Sequence, residues 1–201
     1  MIVKRTFDFV FAFLGLLLLS PVLVIFMLLV FFQDKSSPIY KAPRVGLNGK
    51  IFTMVKMRSM VVDADRTKVD STSSDDLRIT PIGQTIRKYK LDELMQLWNV
   101  FIGEMSLVGP RPLLVKYLDR YNDNQLRRLE VKPGLTGWAQ INGRNSISWE
   151  EKFQYDVWYV DNRSLKLDLI IIFKTIGQVI RGKGISQKNH PTMEEFMGTN
   201  K

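Results

Sequence analysis

Residues 9–32 read FVFAFLGLLLLSPVLVIFMLLVFF, a run without a single charge. An α-helix needs about 20 residues to cross a bilayer, so the run is long enough for a membrane helix. It also exceeds the apolar core of a secretory signal, and no small-residue cleavage site follows it. The chain is therefore expected to be membrane-bound through a retained segment. Ser20-Pro21 sits at the middle of the run, where proline removes one helical hydrogen bond and its ring clashes with the carbonyl of Leu17. Lys4 and Arg5 precede the run, and Lys35, Lys41, Arg44 and Lys50 follow it. Positive charge marks the cytoplasmic side of membrane segments. Two readings fit these facts. In one, a spanning helix carries a proline kink. In the other, the helix enters one leaflet, breaks at Ser20-Pro21 and returns, which keeps both basic flanks cytoplasmic and leaves the Ser20 hydroxyl to cap a freed carbonyl.

Beyond a linker at 34–38, Ile39 to Val45 and Lys50 to Arg58 read as two strands of a hairpin turning at Asn48-Gly49. The polar stretch DADRTKVDSTSSDD at 63–76 reads as a surface loop, whose acidic content would also let it cover an active site. Thr80-Pro81 supplies an N-cap and a first-turn proline for a helix to about Tyr89. A second helix is expected from Leu91-Asp92, with Leu94, Leu97, Trp98 and Phe101 on its apolar face. SWEEKFQYDVWYV at 148–160 reads as an aromatic helix. LKLDLIIIFKTIGQVIR at 165–181 reads as an apolar helix interrupted by Asp168 and Lys174, suited to burial or surface docking rather than spanning.

The chemistry narrows by subtraction. The chain has no cysteine and one histidine, His190, which excludes a thiol nucleophile, a cysteine-ligated zinc and a disulfide framework. No G-x-S-x-G elbow accompanies the lone histidine. Carboxylates remain, and Asp92-Glu93 stands out because Arg87, Lys88 and Lys90 precede it and the rigid Pro110-Arg111-Pro112 follows. At a helix start, with those cations upstream, Asp92 is expected to stay ionised. Adjacent helical residues point about 100° apart, so the two acids would divide roles, one attacking and one holding a cation, rather than share a proton. Arg111, fixed between two prolines, suits bidentate phosphate binding. KPGLTGWAQINGRN at 132–145 adds three glycines, Trp138 and Arg144, a composition that permits close backbone approach to a ligand, though neither Walker A nor dinucleotide spacing is present. The net charge of +9 implies an anionic partner, either nucleic acid, a phosphorylated small molecule or an anionic membrane. No RNA-binding or helix-turn-helix pattern supports nucleic acid.

Four blocks carry a resemblance: K-x-R-S-M at 56–60, L-D-E-L-x-Q-L-x-N-V at 91–100, G-E-M-S-L-V-G-P-R-P at 103–112 and P-G-L-T-G-W-A-Q-I-N-G-R at 133–144. Together they resemble the bacterial sugar transferases, the small monotopic phosphoglycosyl transferases. The distal N-x-I-S-W (145–149) and G-I-S-x-x-x-H (184–190) are most similar to the protein-glycosylation members, which transfer phospho-N,N'-diacetylbacillosamine to undecaprenyl phosphate. The resemblance implies a membrane-inserted α+β fold with a re-entrant helix over 1–33, broken at Ser20 and Pro21. A catalytic domain over 34–201, on the cytoplasmic face of the bacterial inner membrane, would carry a β-hairpin and interfacial amphipathic helices. It implies Asp92 as nucleophile, Glu93 as ligand of Mg2+, and Arg87, Arg111, Arg144 and Asp156 as substrate-binding residues. The implied reaction takes a UDP-sugar, releases UMP and passes the phosphosugar from Asp92 to undecaprenyl phosphate, the first step of glycan assembly on a lipid carrier. Direct attack in a ternary complex, with another UDP-2-acetamido sugar as donor, is the alternative mechanism, and a membrane-tethered nucleic-acid-binding or scaffold protein the alternative class.

Overall fold

The N-terminal apolar run forms one helix, α1 (Ile2–Asp34), that continues through Pro21. Proline has no N–H for the carbonyl of Leu17, and the Ser20 hydroxyl donates to that carbonyl instead, at 2.8 Å. The serine thus satisfies the group its neighbour leaves unpaired. Most large apolar side chains of α1 remain exposed, and the helix is long and apolar enough to cross a membrane. The structure, a computed structural model, describes residues 2–64, 76–143, 146–180 and 195–198.

The chain divides into two compact units, Met1–Ala42 with Thr53–Gly103, and Pro43–Phe52 with Glu104–Lys201. Strands β1 (Ile39–Val45) and β2 (Ile51–Met57) pair into the expected hairpin. Its turn is closed by Gly46 N–H donating to Lys50 O at 2.8 Å. Asn48 and Gly49 both take positive φ, 53° and 76°, the conformation for which an Asn-Gly pair is suited.

In the first unit, α2 (Pro81–Lys88), α3 (Leu91–Leu94) and α4 (Leu97–Ile102) follow the hairpin. The second expected helix is therefore two pieces, with Leu97 buried but Trp98 exposed. The last carbonyls of α4 are capped from α1, where Arg5 donates to Val100 O and Phe101 O at 2.6 Å each. The Phe9 and Phe101 rings stack at 4.9 Å. Leu23 and Val30 of α1 meet Met57 of β2 and Ile86 of α2 in one apolar cluster, with Leu91, Leu94 and Met95 packed against it.

In the second unit, β3 (Ser106–Val108) pairs in parallel with β4 (Gly134–Thr136), Ser106 opposite Gly134 and Val108 opposite Thr136. Short helices α5 (Asp123–Leu126) and α6 (Trp138–Ile141) lead to α7 (Trp149–Asn162) and α8 (Leu165–Ile180). The predicted aromatic helix opens on a capping box, Ser148 and Glu151 bonding each other's backbone N–H groups. Tyr117, Tyr121, Phe153 and Phe196 form an aromatic core. Ile171 is buried on α8, whereas Leu169, Phe173, Ile176 and Val179 are exposed. Arg181, which ended the predicted helix, lies outside the described residues.

One buried side chain joins α4 to β2. Asn99, fully buried, accepts from Val55 N–H at 2.9 Å and donates to Thr53 O at 2.8 Å. Its amide occupies the strand edge as a third strand would. Asn99→Ala would leave two backbone groups unpaired, and is expected to lower stability by roughly 2–4 kcal/mol. Thermal unfolding in detergent checks this, an unchanged Tm counting against the clasp.

Candidate active site

Ser59 organises the approach to the acid pair. Its carbonyl accepts Thr80 N–H at 3.2 Å, and Thr80 caps α2 by accepting Gly83 N–H at 2.9 Å. A Cβ at Gly83 would fall 1.9 Å from the Ser59 carbonyl oxygen, so α2 can lie this close only with glycine there. The Ser59 hydroxyl then accepts from Arg87 Nε at 2.8 Å. Burial pulls the Arg87 guanidinium below its usual value, while the negative charges of Asp92 and Asp76 oppose that pull. Asp76 is itself clamped by Arg78, with Nη2 to Oδ2 at 2.6 Å, and hydrogen bonding to Arg78 holds its carboxyl at about 2. Residues 65–75 of the polar stretch lie outside the described residues.

Lys90 takes a left-handed conformation, φ 58°, that ends α2 and starts α3 without a side-chain cap. Asp92 and Glu93 follow in that single helical turn. Asp92 Oδ1 is buried without a hydrogen-bond partner, as is Gln96 Nε2. Each such atom costs about 1–3 kcal/mol when left unmade. Burial pushes the Asp92 carboxyl above its usual range and Glu93 adds to the rise, against the opposing pull of Lys56, Lys90 and Arg87. This corrects the expectation that its position would favour the ionised form. One turn of helix supplies little dipole, and desolvation outweighs the three cations.

An acid pair with an orphaned buried oxygen fits a hard divalent cation. Magnesium is held through one or two carboxylates and completes its octahedron with phosphate oxygens and water. Glu93 and Asp92 are the candidates. No group of three or more His, Cys, Asp or Glu side chains is gathered among the described residues.

The other predicted residues lie in the second unit. Arg111 sits in the Gly109-Pro110-Arg111-Pro112 turn, and its carbonyl accepts from Arg128 Nη2 at 2.7 Å. The same Nη2 donates to Asp156 Oδ2 at 2.8 Å, and Nε does so at 3.0 Å. Both partners are buried, with side chains 1% and 2% exposed. Where the resemblance implies a substrate contact for Asp156, the structure gives an ion pair that reaches the Arg111 backbone through Arg128. The glycines also have a use other than ligand approach. A Cβ at Gly134 would lie 2.1 Å from Gly109 N, and one at Gly137 2.2 Å from Gly109 O, so they let the β4 strand lie directly on the arginine turn. Arg144 lies outside the described residues.

Ser59, Lys56, Gln96 and Arg128 do not stand out individually in the sequence. The first three fall inside blocks already singled out, and Gln96 stands four residues after Asp92, the helical spacing that puts two side chains on one face. Arg128 had no local signal, since a charged residue in a basic chain reads as surface.

A family model described as bacterial sugar transferase matches residues 1–182. An uncharacterized sugar transferase of Bacillus subtilis is 50% identical over 99% of this chain and 98% of its own length. A UDP-galactose-lipid carrier transferase of Erwinia amylovora is 45% identical over 90% of this chain, which spans 41% of that relative. A UDP-glucose:undecaprenyl-phosphate glucose-1-phosphate transferase of Klebsiella pneumoniae is 38% identical over 88% of this chain and 40% of its own length.

The raised Asp92 carboxyl has a consequence for stability. A carboxyl whose folded pKa exceeds its unfolded value favours the fold most in acid, and that contribution is lost as pH rises through the folded pKa. Asp92→Asn is therefore expected to raise Tm at pH 8, the gain shrinking as the buffer is made acidic. Melting curves across that pH range check it, and a Tm below the wild type at pH 8 would contradict it.

Proposed function

The chain belongs to the bacterial sugar transferase family, and from that premise we propose that it is a polyprenyl-phosphate sugar-1-phosphate transferase working through a covalent Asp92 intermediate. The donor is a UDP-sugar, the acceptor undecaprenyl phosphate and the by-product UMP. One observation carries the reading: a carboxylate oxygen of Asp92 is buried without a hydrogen-bond partner, in a field set by Arg87, Lys56 and Lys90. A carboxylate stripped of water and left without a bond is a reactive nucleophile. The surrounding cations attract a diphosphate.

In the first half-reaction an Asp92 carboxylate oxygen attacks the sugar-linked phosphorus. The new O–P bond forms as the P–O bond to UMP breaks, and UMP leaves with the bridging oxygen and its electron pair. In the second, a phosphate oxygen of undecaprenyl phosphate attacks the same phosphorus and returns the Asp92 carboxylate. Arg87, oriented by Ser59, stabilises charge on the transferred phosphoryl group. Glu93, beside Asp92, would hold magnesium, which when bound supplies positive charge to the diphosphate and the departing UMP. In the second unit Arg111 is assigned to phosphate binding, its backbone held by Arg128 and its flanking prolines. Arg144 is assigned to substrate binding on the family motif. The distal motifs assign N,N'-diacetylbacillosamine as the donor sugar, and turnover of that donor against UDP-galactose and UDP-glucose decides the assignment.

Enzyme given UDP-sugar and magnesium without lipid is expected to release a stoichiometric burst of UMP and gain the mass of a phosphosugar on Asp92. Asp92→Asn should abolish the burst, the adduct and turnover. UMP released only when lipid phosphate is present, with no adduct, would favour direct attack in a ternary complex.

The membrane segment is assigned as re-entrant at the cytoplasmic face of the inner membrane. Basic residues on both flanks and the proline at mid-helix support this, and the exposed apolar side chains of α8 suit the membrane interface. Because cysteine is absent from the chain, single cysteines at residue 2 and within 34–38 can be probed with an impermeant thiol reagent. Both should react only after the cells are opened. Labelling of residue 2 alone from outside would make α1 a span.

A further inference from the structure

Gln96 stands one helical turn beyond Asp92. Its side chain belongs to a residue 2% exposed, and its Nε2, like Asp92 Oδ1, is buried without a hydrogen-bond partner. The backbone around it is satisfied: Gln96 N–H donates to Glu93 O at 3.0 Å, and its carbonyl accepts from Val100 N–H at 3.1 Å. Met95 (φ −60°, ψ −21°) and Gln96 (φ −67°, ψ −14°) keep the chain helical between α3 and α4. Residues 92 and 96 therefore share a face, and the Cα–Cβ bond of Gln96 tilts toward the turn that carries Asp92.

One orphan is an acceptor and the other a donor, yet they do not bond each other. A group that satisfies both must take electrons from a carboxylate oxygen and offer an acceptor to an amide N–H. A phosphoryl centre does this, since its phosphorus bonds the carboxylate oxygen while a non-bridging oxygen accepts the hydrogen bond. We infer that Gln96 is a further catalytic residue, whose Nε2 donates to a non-bridging oxygen of the phosphoryl group as it passes to and from Asp92. The inference rests on the covalent reading above. Nε2 has no hydrogen-bond partner within the protein, so its bond to the arriving phosphoryl group is gained without breaking another. An interaction made at that moment, by a donor already fixed in place, lowers the barrier rather than the substrate's ground state. As a neutral donor, the amide also adds no cation to pair with Asp92.

The test is single-turnover release of UMP by the full chain in detergent, from UDP-sugar and magnesium without lipid, with the adduct followed by mass. Gln96→Met keeps the side chain's length and removes the donor. It should slow the burst by about 10²–10³-fold, as removal of one donor to a developing oxyanion does, with KM for the UDP-sugar within about threefold of wild type. Its Tm should equal or exceed that of wild type, because a buried unpaired donor is gone. If Gln96→Met is not recovered folded, Gln96→Glu, which puts an acceptor where the donor was, should lose the burst at pH 8. A wild-type adduct together with a variant burst within about threefold of wild type overturns the role of Gln96 alone. Absence of any adduct in the wild type overturns the covalent reading and this inference with it.

Discussion

A two-stranded hairpin leaves the outer edge of each strand without backbone partners, and the fully buried amide of Asn99 supplies them to β2. That constraint fixes where α4 begins and which side it presents. Once Asn99 is seated, Leu97 and Val100 turn inward, and the C-terminal carbonyls of α4 fall where Arg5 of α1 caps them. The residues immediately before α4 include Asp92, Glu93 and Gln96, so the clasp that completes the strand edge also places the acid pair. A polar side chain in a core is usually tolerated only when fully satisfied, and Asn99 meets that condition with both ends of its amide.

The opposite condition holds a few residues upstream. Asp92 Oδ1 and Gln96 Nε2 are buried and unsatisfied in a segment whose backbone groups are bonded. Desolvation and the neighbouring Glu93 work against the ionised carboxylate while Lys56, Lys90 and Arg87 support it. The balance raises the Asp92 carboxyl above its usual range. The Ser59 hydroxyl accepts from Arg87 Nε nearby in the same unit.

In the second unit the same logic is applied to backbone rather than to a carboxylate. Arg128 and Asp156 form a buried ion pair whose third bond is to the Arg111 carbonyl. Removing either partner would strand a charge in the core, a loss on the order of 3–5 kcal/mol. Gly109, Gly134 and Gly137 bring two backbones into direct contact, which leaves the arginine turn little freedom. A side chain on a turn held from both sides can meet a phosphate at a small cost in conformational entropy.

Local chemistry made several features legible in the chain itself. An uncharged run long enough for a bilayer, an Asn-Gly turn, a Thr-Pro helix start and a Ser-x-x-Glu capping box each act within a few residues, so their physics is written in the sequence. The absence of cysteine and the lone histidine left carboxylates as the expected reactive groups, and Asp92-Glu93 was visible among them. Tertiary structure alone decided the rest. Whether Asp92 is held ionised or pushed up depends on how much water its neighbours exclude, and desolvation is a property of packing that adjacent residues do not encode. Asn99, Arg128 and Asp156 look like surface residues until partners 28 to 46 positions away bury and bond them. Gly134 and Gly137 were readable as positions of close approach, but only the fold shows that what approaches them is the chain's own backbone.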